Sequence, residues 1–262
     1  MNVKNKELDR LDAMIELLIL SKGKTKIIQR IIKSVVNLIE KFTDEKLSSE
    51  IKEFELCHRY LDPVLLALFD DPENGVLFRW TSVTNQEAKD VSAKGSISTH
   101  RPDSCISKLN GLHFGKSLGF VEVKPSSEKN NKYSISKDLV RLGVMTKNSL
   151  DISALKGCMG IQVVDHNIEF LMNKLQVDGT YIFTEIASIT VPSCIADLGA
   201  YPQYFDDLIA ILECYEKWCI PLPRDEISKM YSKRRRSLPD EQFESLSPSR
   251  SNKRRSVTMP SL

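Results

Sequence analysis

The chain has 262 residues, of which 41% are hydrophobic and 27% charged, and its formal net charge is +2. This composition is ordinary for a soluble globular protein. No apolar stretch reaches the length of a membrane span. The charged N-terminus lacks the apolar segment of a secretory signal, so we expect an intracellular protein with no membrane partner.

The small net charge hides a difference between the body of the chain and its end. Residues 224–262 contain ten Lys or Arg against five Asp or Glu, which leaves residues 1–223 slightly acidic. A broad nucleic-acid-binding surface usually shows clustered Lys and Arg, and the body shows no such excess. The slightly acidic charge of residues 1–223 therefore argues mildly against a large nucleic-acid-binding surface.

The cysteines and histidines follow no spacing that is typical of a zinc site. The six cysteines are scattered and form no Cys-x-x-Cys pair. We interpret them as reduced, buried thiols.

Residues 1–47 are predicted to form a helical hairpin. Apolar residues recur every three or four positions between residues 8 and 42, and Ser21-Lys22-Gly23 interrupts this pattern. The two apolar stripes could pack against the rest of the chain or against a second copy in a homo-oligomer. The sequence leaves both alternatives open.

Residues 48–223 are predicted to form one α+β domain, an α/β sandwich whose mixed sheet is flanked by helices. A first helix runs to about residue 69, and Pro63 is expected to split or kink it. The remaining elements, from hydrophobic periodicity and turn residues, are strands at 76–80, 101–106 and 114–124, a helix at 134–150, three strands between 159 and 191, and a helix at 204–218.

Two acids and a lysine stand at the ends of two neighbouring predicted strands. Asp103 follows Pro102, and Glu122-Val123-Lys124 closes the next strand beyond a hairpin turn at Asn110-Gly111. Residues two apart on a strand share a face, so Glu122 and Lys124 project together. Facing side chains on paired strands lie about 5 Å apart, close enough for Asp103 and Glu122 to share a cation. Hard divalent cations prefer such oxygen ligands, and an ammonium nearby can bind phosphate or orient water.

The pattern Pro102-Asp103 followed by Glu122-Val123-Lys124 resembles the motif of the PD-(D/E)xK nuclease superfamily. The resemblance covers about the middle two thirds of the chain by the order of its elements. It implies a restriction-endonuclease-like fold in which Asp103 and Glu122 bind Mg²⁺ or Mn²⁺ and Lys124 acts in catalysis. The substrate it implies is nucleic acid, either DNA or RNA.

The resemblance also suggests residues that bind the substrate or complete the metal site. Members often lend a basic residue from the helix after the catalytic strand to the substrate phosphate, and Lys137 and Arg141 lie one turn apart on that helix. Some members place a glutamate on the first helix near the metal. Of Glu53 and Glu55, the helical angle puts Glu55 nearer the apolar side, so Glu55 is the predicted third ligand.

Two further polar residues could reach the same site. Gln162 lies in a later strand, where some members have a polar residue facing the site, and His100 lies three residues before Asp103. A surface or structural role is the default for His100. Solvent-exposed positions are the alternative for Glu55, Lys137 and Arg141.

The segment 224–262 is predicted to be a disordered basic tail, because serines, prolines and charges replace any periodicity. It contains the basic clusters 233–236 and 253–255, each followed by a serine, Ser237 and Ser256. Such clusters are typical of nuclear localisation signals, so we expect a nuclear protein that an import receptor recognises. A purely solubilising tail is the alternative.

Two functions follow from these observations, and the sequence does not choose between them. The first is a metal-dependent endo- or exonuclease that hydrolyses phosphodiester bonds. The second is a catalytically inactive nuclease-fold module, a nuclear protein-interaction or nucleic-acid-binding accessory, in which Asp103, Glu122 and Lys124 form only a structural ion network. Neither a P-loop nor a dinucleotide-binding glycine motif is present.

Overall fold

The computed structural model describes residues 9–81 and 101–235, and these form a six-stranded mixed sheet with six helices. The strands follow the chain in the order β1 to β6, and every neighbouring pair is antiparallel except β3 and β4, which are parallel. The expected α+β class is confirmed. The strands are β1 (Val76–Trp80), β2 (Ser104–Asn110), β3 (His113–Lys124), β4 (Cys158–Val164), β5 (Asn167–Leu175) and β6 (Tyr181–Thr190).

Six helices and the 3-10 segments Pro72–Asn74, Ser126–Glu128 and Ile195–Tyr204 account for the remaining regular structure of the described residues. A parallel connection needs a crossover, and the longest helix supplies it between β3 and β4. Among the described residues the helices are α1 (Arg10–Ser21), α2 (Lys26–Lys41), α3 (the consecutive segments Glu53–Glu55, Leu56–Leu61 and Asp62–Phe69), α4 (Lys132–Ser153), α5 (Phe205–Trp218) and α6 (Arg224–Tyr231).

Helices cover both faces of the sheet, as expected for an α/β sandwich. On β5, Phe170 packs against Phe69 of α3, with ring centroids 6.1 Å apart. Asn173 donates instead to the carbonyl of Gly143 in α4, at 3.2 Å. Because side chains alternate between the two faces of a strand, α3 and α4 lie on opposite sides. The buried run 117–123 of β3 lies between these layers.

The second helix of the N-terminal hairpin belongs to the main hydrophobic core. Ile31, Leu38 and Ile39 of α2 are at most 1% exposed and pack in the same cluster as α3 and the sheet. This helix therefore shares its core with residues 48–223, and the boundary at residue 47 stays a prediction. In α1, by contrast, Leu11 and Ile19 are more than half exposed. Association of two copies through this helix remains a prediction.

Pro63 neither splits α3 nor ends it. The segment Leu56–Leu61 just before it has π-helical geometry, in which the Asp62 N–H donates to the carbonyl of Cys57. A proline removes one N–H and crowds the preceding turn, and a wider π turn accommodates both effects. The helix therefore continues to Phe69.

The first residues of the predicted tail contain a helix. Residues 224–231 form α6, and the Lys147 ammonium donates to the carbonyl of Arg235, at 2.6 Å. The Arg234 guanidinium lies 3.7 Å from the Asp151 carboxylate, with both side chains largely buried. These contacts with α4 hold residues that composition alone assigned to the tail. Residues 236–262, with the second basic cluster, lie outside the described ranges.

Within the described ranges, no helix combines the length and the apolar character needed to cross a membrane.

Candidate functional site

The β2–β3 pairing brings Asp103 and Glu122 to neighbouring positions. Ser104 pairs with Val121 in an antiparallel register, so the residue before Ser104 lies beside Glu122. Asp103 precedes β2 directly, and its N–H donates to the Val121 carbonyl at 3.1 Å. Its carboxylate also accepts a hydrogen bond from the Val123 N–H at 2.8 Å. These two contacts fix the backbone and side chain of Asp103 against β3.

Helix α4 covers the acids and supplies a further acid and a base. The Lys124 ammonium lies 2.7 Å from the Asp138 carboxylate. The Arg141 guanidinium lies 3.2 Å from both Glu122 and Asp138. We call Asp103, Glu122, Lys124, Asp138 and Arg141 the charged cluster. In this cluster, Asp138 and Arg141 from one turn of α4 lie against the three predicted catalytic residues.

Asp138 is the residue of this cluster that the sequence did not single out. It is 3% exposed, and it lies four and seven positions before Leu142 and Met145, which are also buried. A carboxylate in the apolar stripe of a helix is costly unless it is paired. That position is the sequence signal that could have revealed Asp138.

Burial dominates the electrostatics of the two predicted metal ligands. It raises the pKa of Glu122 to about 8, with Arg141 opposing and Asp103 and Asp138 adding to the rise. Burial also raises the pKa of Asp103, although the hydrogen bond from the Val123 N–H and the charges of Lys124 and Arg141 lower it. Burial therefore disfavours the ionised form of both carboxylates more than the neighbouring bases stabilise it.

The lysine of the cluster behaves in the opposite way. Burial lowers the pKa of Lys124, but the hydrogen bond and charge of Asp138 outweigh burial, and Asp103 and Glu122 add to their effect. The net result is a raised pKa. Lys124 is therefore held as an ammonium ion at neutral pH.

The glutamate of α3 that lies near the cluster is Glu53 and not the predicted Glu55. Glu55 pairs with Arg59 at 3.3 Å and lines a separate cleft with Lys41 and His58. The pKa of Glu53, in contrast, is raised by burial and then by the charge of Asp103. Residues two apart on a helix differ by about 200° in direction, so only one of them can face the cluster.

The other predicted residues have mixed placements. Arg141 reaches the site, where it binds the acids of the cluster and donates to the Arg101 carbonyl at 3.1 Å. Gln162 pairs with Glu122 in the sheet, but its amide donates to the Ile135 carbonyl at 2.7 Å and so anchors α4. Lys137 is half-buried, and its substrate-binding role stays a prediction. His100 lies outside the described residues.

The donors present suit a cation that water and substrate also coordinate. Within the described ranges, no group of three or more His, Cys, Asp or Glu side chains could hold a metal ion by itself. Glu122 is 1% exposed, and its Oε1 atom has no hydrogen-bond partner among the described residues. Mg²⁺ typically takes one or two carboxylates and completes its shell with waters and phosphate oxygens. Asp103 and Glu122 fit that requirement, with Glu53 as a further acid nearby.

Comparison of the chain with models of protein families, with curated proteins and with solved structures found no match.

Proposed function

We propose that the protein is a metal-dependent nuclease of the PD-(D/E)xK type, with a restriction-endonuclease-like fold, which hydrolyses phosphodiester bonds in DNA or RNA. The observation that carries the proposal is the buried cluster in which Asp103, Glu122 and Lys124 meet and Glu122 Oε1 has no partner among the described residues. The parallel β3–β4 pair with its crossover helix supports the same fold assignment.

Each residue of the cluster takes a role from its position. Asp103 and Glu122 would hold Mg²⁺ or Mn²⁺, which when bound lowers the pKa of a coordinated water and polarises the phosphate. Lys124, kept charged by Asp138, would orient the attacking water and offset the negative charge that develops on the phosphate. Arg141, 20% exposed, would bind a substrate phosphate through a guanidinium that also holds Glu122.

Titration of Mn²⁺ and Mg²⁺ by calorimetry tests the metal site. We expect binding to the wild-type protein and none to Asp103→Asn. The variants Glu53→Gln and Glu55→Gln form a matched pair two residues apart on one helix. Loss of a ligand or of a supporting acid typically weakens metal binding about 10- to 100-fold, and we expect that loss only for Glu53→Gln. Equal affinities in this pair would remove Glu53 from the site.

Nuclease assays on single- and double-stranded DNA and RNA test the chemistry. Lys124→Ala is expected to abolish cleavage while Mn²⁺ binding persists, because the lysine acts on water and phosphate rather than on the metal. Cleavage by Lys124→Ala at the wild-type rate would contradict its proposed role.

One observation favours the second function, an inactive nuclease-fold module. Lys124 and Arg141 already pair with Glu122 and Asp138, so the charged cluster is partly neutralised from within. In that case the cluster fixes α4 on the sheet, and the module acts as an accessory that binds protein or nucleic acid in the nucleus. Absence of Mn²⁺ binding even with an oligonucleotide present would establish this alternative over the nuclease. Nuclear import through the basic cluster 233–236 is proposed for either function.

A further inference from the structure

A cleft of about 350 Å³ lies beside the first half of β3, away from the charged cluster. Its lining includes Phe69, Leu118, Leu155 and Tyr215, which are each less than 9% exposed. The segment after α5 closes one side, where Pro221 forms a bridge with Leu155. A concave site with apolar walls and a few polar groups is typical of small-molecule binding.

Four charged residues of the lining neutralise one another. Asp71 accepts from Lys26 at 2.8 Å and from Arg30 at 2.9 Å, and Arg30 also lies 3.1 Å from Glu216. Although burial raises the pKa of Asp71, the hydrogen bonds from Asn74 and Lys26 and the charges of both bases bring it to about 2. Two acids and two bases therefore cancel, and these residues leave no net charge in the cleft.

Two further lysines line the same cleft, Lys108 of β2 and Lys116 of β3. Ser107 pairs with Ser117 between these strands, and the register shifts between Ser107 and Leu109. The two lysines add two positive charges to a lining whose other charges cancel, so the cleft would gain from a bound anion.

Neither lysine has an acidic partner within residues 9–81 and 101–235. Lys108 donates to the Asn74 carbonyl, and Lys116 donates to the Ser153 carbonyl at 3.0 Å. An ammonium group has three N–H donors, so each lysine keeps donors for a bound group. The cleft therefore combines an apolar lining with a surplus of two positive charges.

We propose that this cleft binds a small organic anion, a carboxylate or phosphate monoester with an apolar body. The anionic group bonds to Lys108 and Lys116, and the apolar body lies against Leu118 and Leu155. An acidic ligand without an apolar part would leave the walls unfilled, and an apolar ligand without charge would leave the lysines unpaired. This site is independent of the proposed phosphodiester hydrolysis.

Calorimetry and thermal unfolding with hexanoate test the proposal, with 1-hexanol as the uncharged analogue. We expect hexanoate to bind and to raise the unfolding temperature, and hexanol to do so more weakly. A hydrogen bond to a charged group changes affinity about tenfold or more, so Lys108→Gln and Lys116→Gln should each weaken hexanoate binding by at least that factor. Lys33→Gln, an exposed lysine of α2 outside the cleft, should leave it unchanged.

A steric variant gives an independent result. Val76 lines the cleft and is only half-buried, so Val76→Trp should fill the opening and prevent binding. Hexanoate affinity that is equal in the wild type and in both lysine variants would overturn the proposal. So would equal binding of hexanol and hexanoate. The lysine variants decide the question even if Val76→Trp does not fold.

Discussion

Replacement of Glu122 by glutamine should change how the stability of the protein depends on pH. Burial raises the pKa of Glu122 from 4.5 to about 8, so between these values the native state binds a proton that the unfolded state releases. The stability that Glu122 contributes is therefore present at low pH and lost as the pH rises. From the relation between pKa and free energy, the loss between pH 5 and pH 8 amounts to about 3 kcal/mol.

Urea unfolding of the wild type and of Glu122→Gln at pH 5, 6, 7 and 8, in EDTA, measures this difference. The variant lacks the titrating group, so its free energy of unfolding should rise relative to that of the wild type across the series. The attraction between Arg141 and the ionised carboxylate is already part of the Glu122 pKa, so replacing the protonated acid by the amide adds only a pH-independent offset. The change with pH therefore isolates Glu122.

Parallel stability profiles for the two proteins would refute the reasoning, because Glu122 would then titrate alike in the folded and unfolded states. Repeating the series with Mn²⁺ connects stability with function. A cation bound to the ionised carboxylate should flatten the wild-type profile above pH 6 and leave the Glu122→Gln profile unchanged.

Three further substitutions test the cluster and the core. Asp138→Asn should lower the pKa of Lys124, because Asp138 supplies the hydrogen bond and the charge that outweigh the effect of burial. A pH titration of the lysine side-chain NMR signals measures this pKa. An unchanged Lys124 pKa would contradict the pairing of Lys124 with Asp138. Leu38→Ala in α2 should cost about 2–5 kcal/mol of unfolding free energy, whereas Leu18→Ala in α1, 48% exposed, should cost about 0.5 kcal/mol or less. Urea unfolding compares the two, and equal losses would contradict the burial of α2.

Local patterns along the chain were enough to predict most of the elements and to single out Asp103 and Glu122. Spacings of three and four predicted α1 and α2, and the apolar segments between turn residues predicted the strands from β1 to β6. The hairpin turn between β2 and β3 predicted that Asp103 and Glu122 lie at the ends of neighbouring antiparallel strands. Two register shifts within that pairing then put the two residues side by side, and the sequence did not predict those shifts. These features depend on residues that are close along the chain.

The tertiary structure decided how the site is completed. Asp138 and Arg141 meet Glu122 only because the crossover helix α4 packs on the sheet, and the direction of α3 selects Glu53 over Glu55. Periodicity tells which side of a helix is apolar, but not which element covers it or which polar residue at its margin faces a buried charge.

Long-range contacts likewise determine the positions of residues 234 and 235 and form the cleft that Lys108 and Lys116 line. Lys147 and Asp151 of α4 hold Arg234 and Arg235, which composition had assigned to a disordered tail. The cleft exists because α2, the β2–β3 hairpin and the end of α5 converge on one point. Charges that pair across such distances have no local sequence pattern, because only the packing of the intervening elements sets their separation.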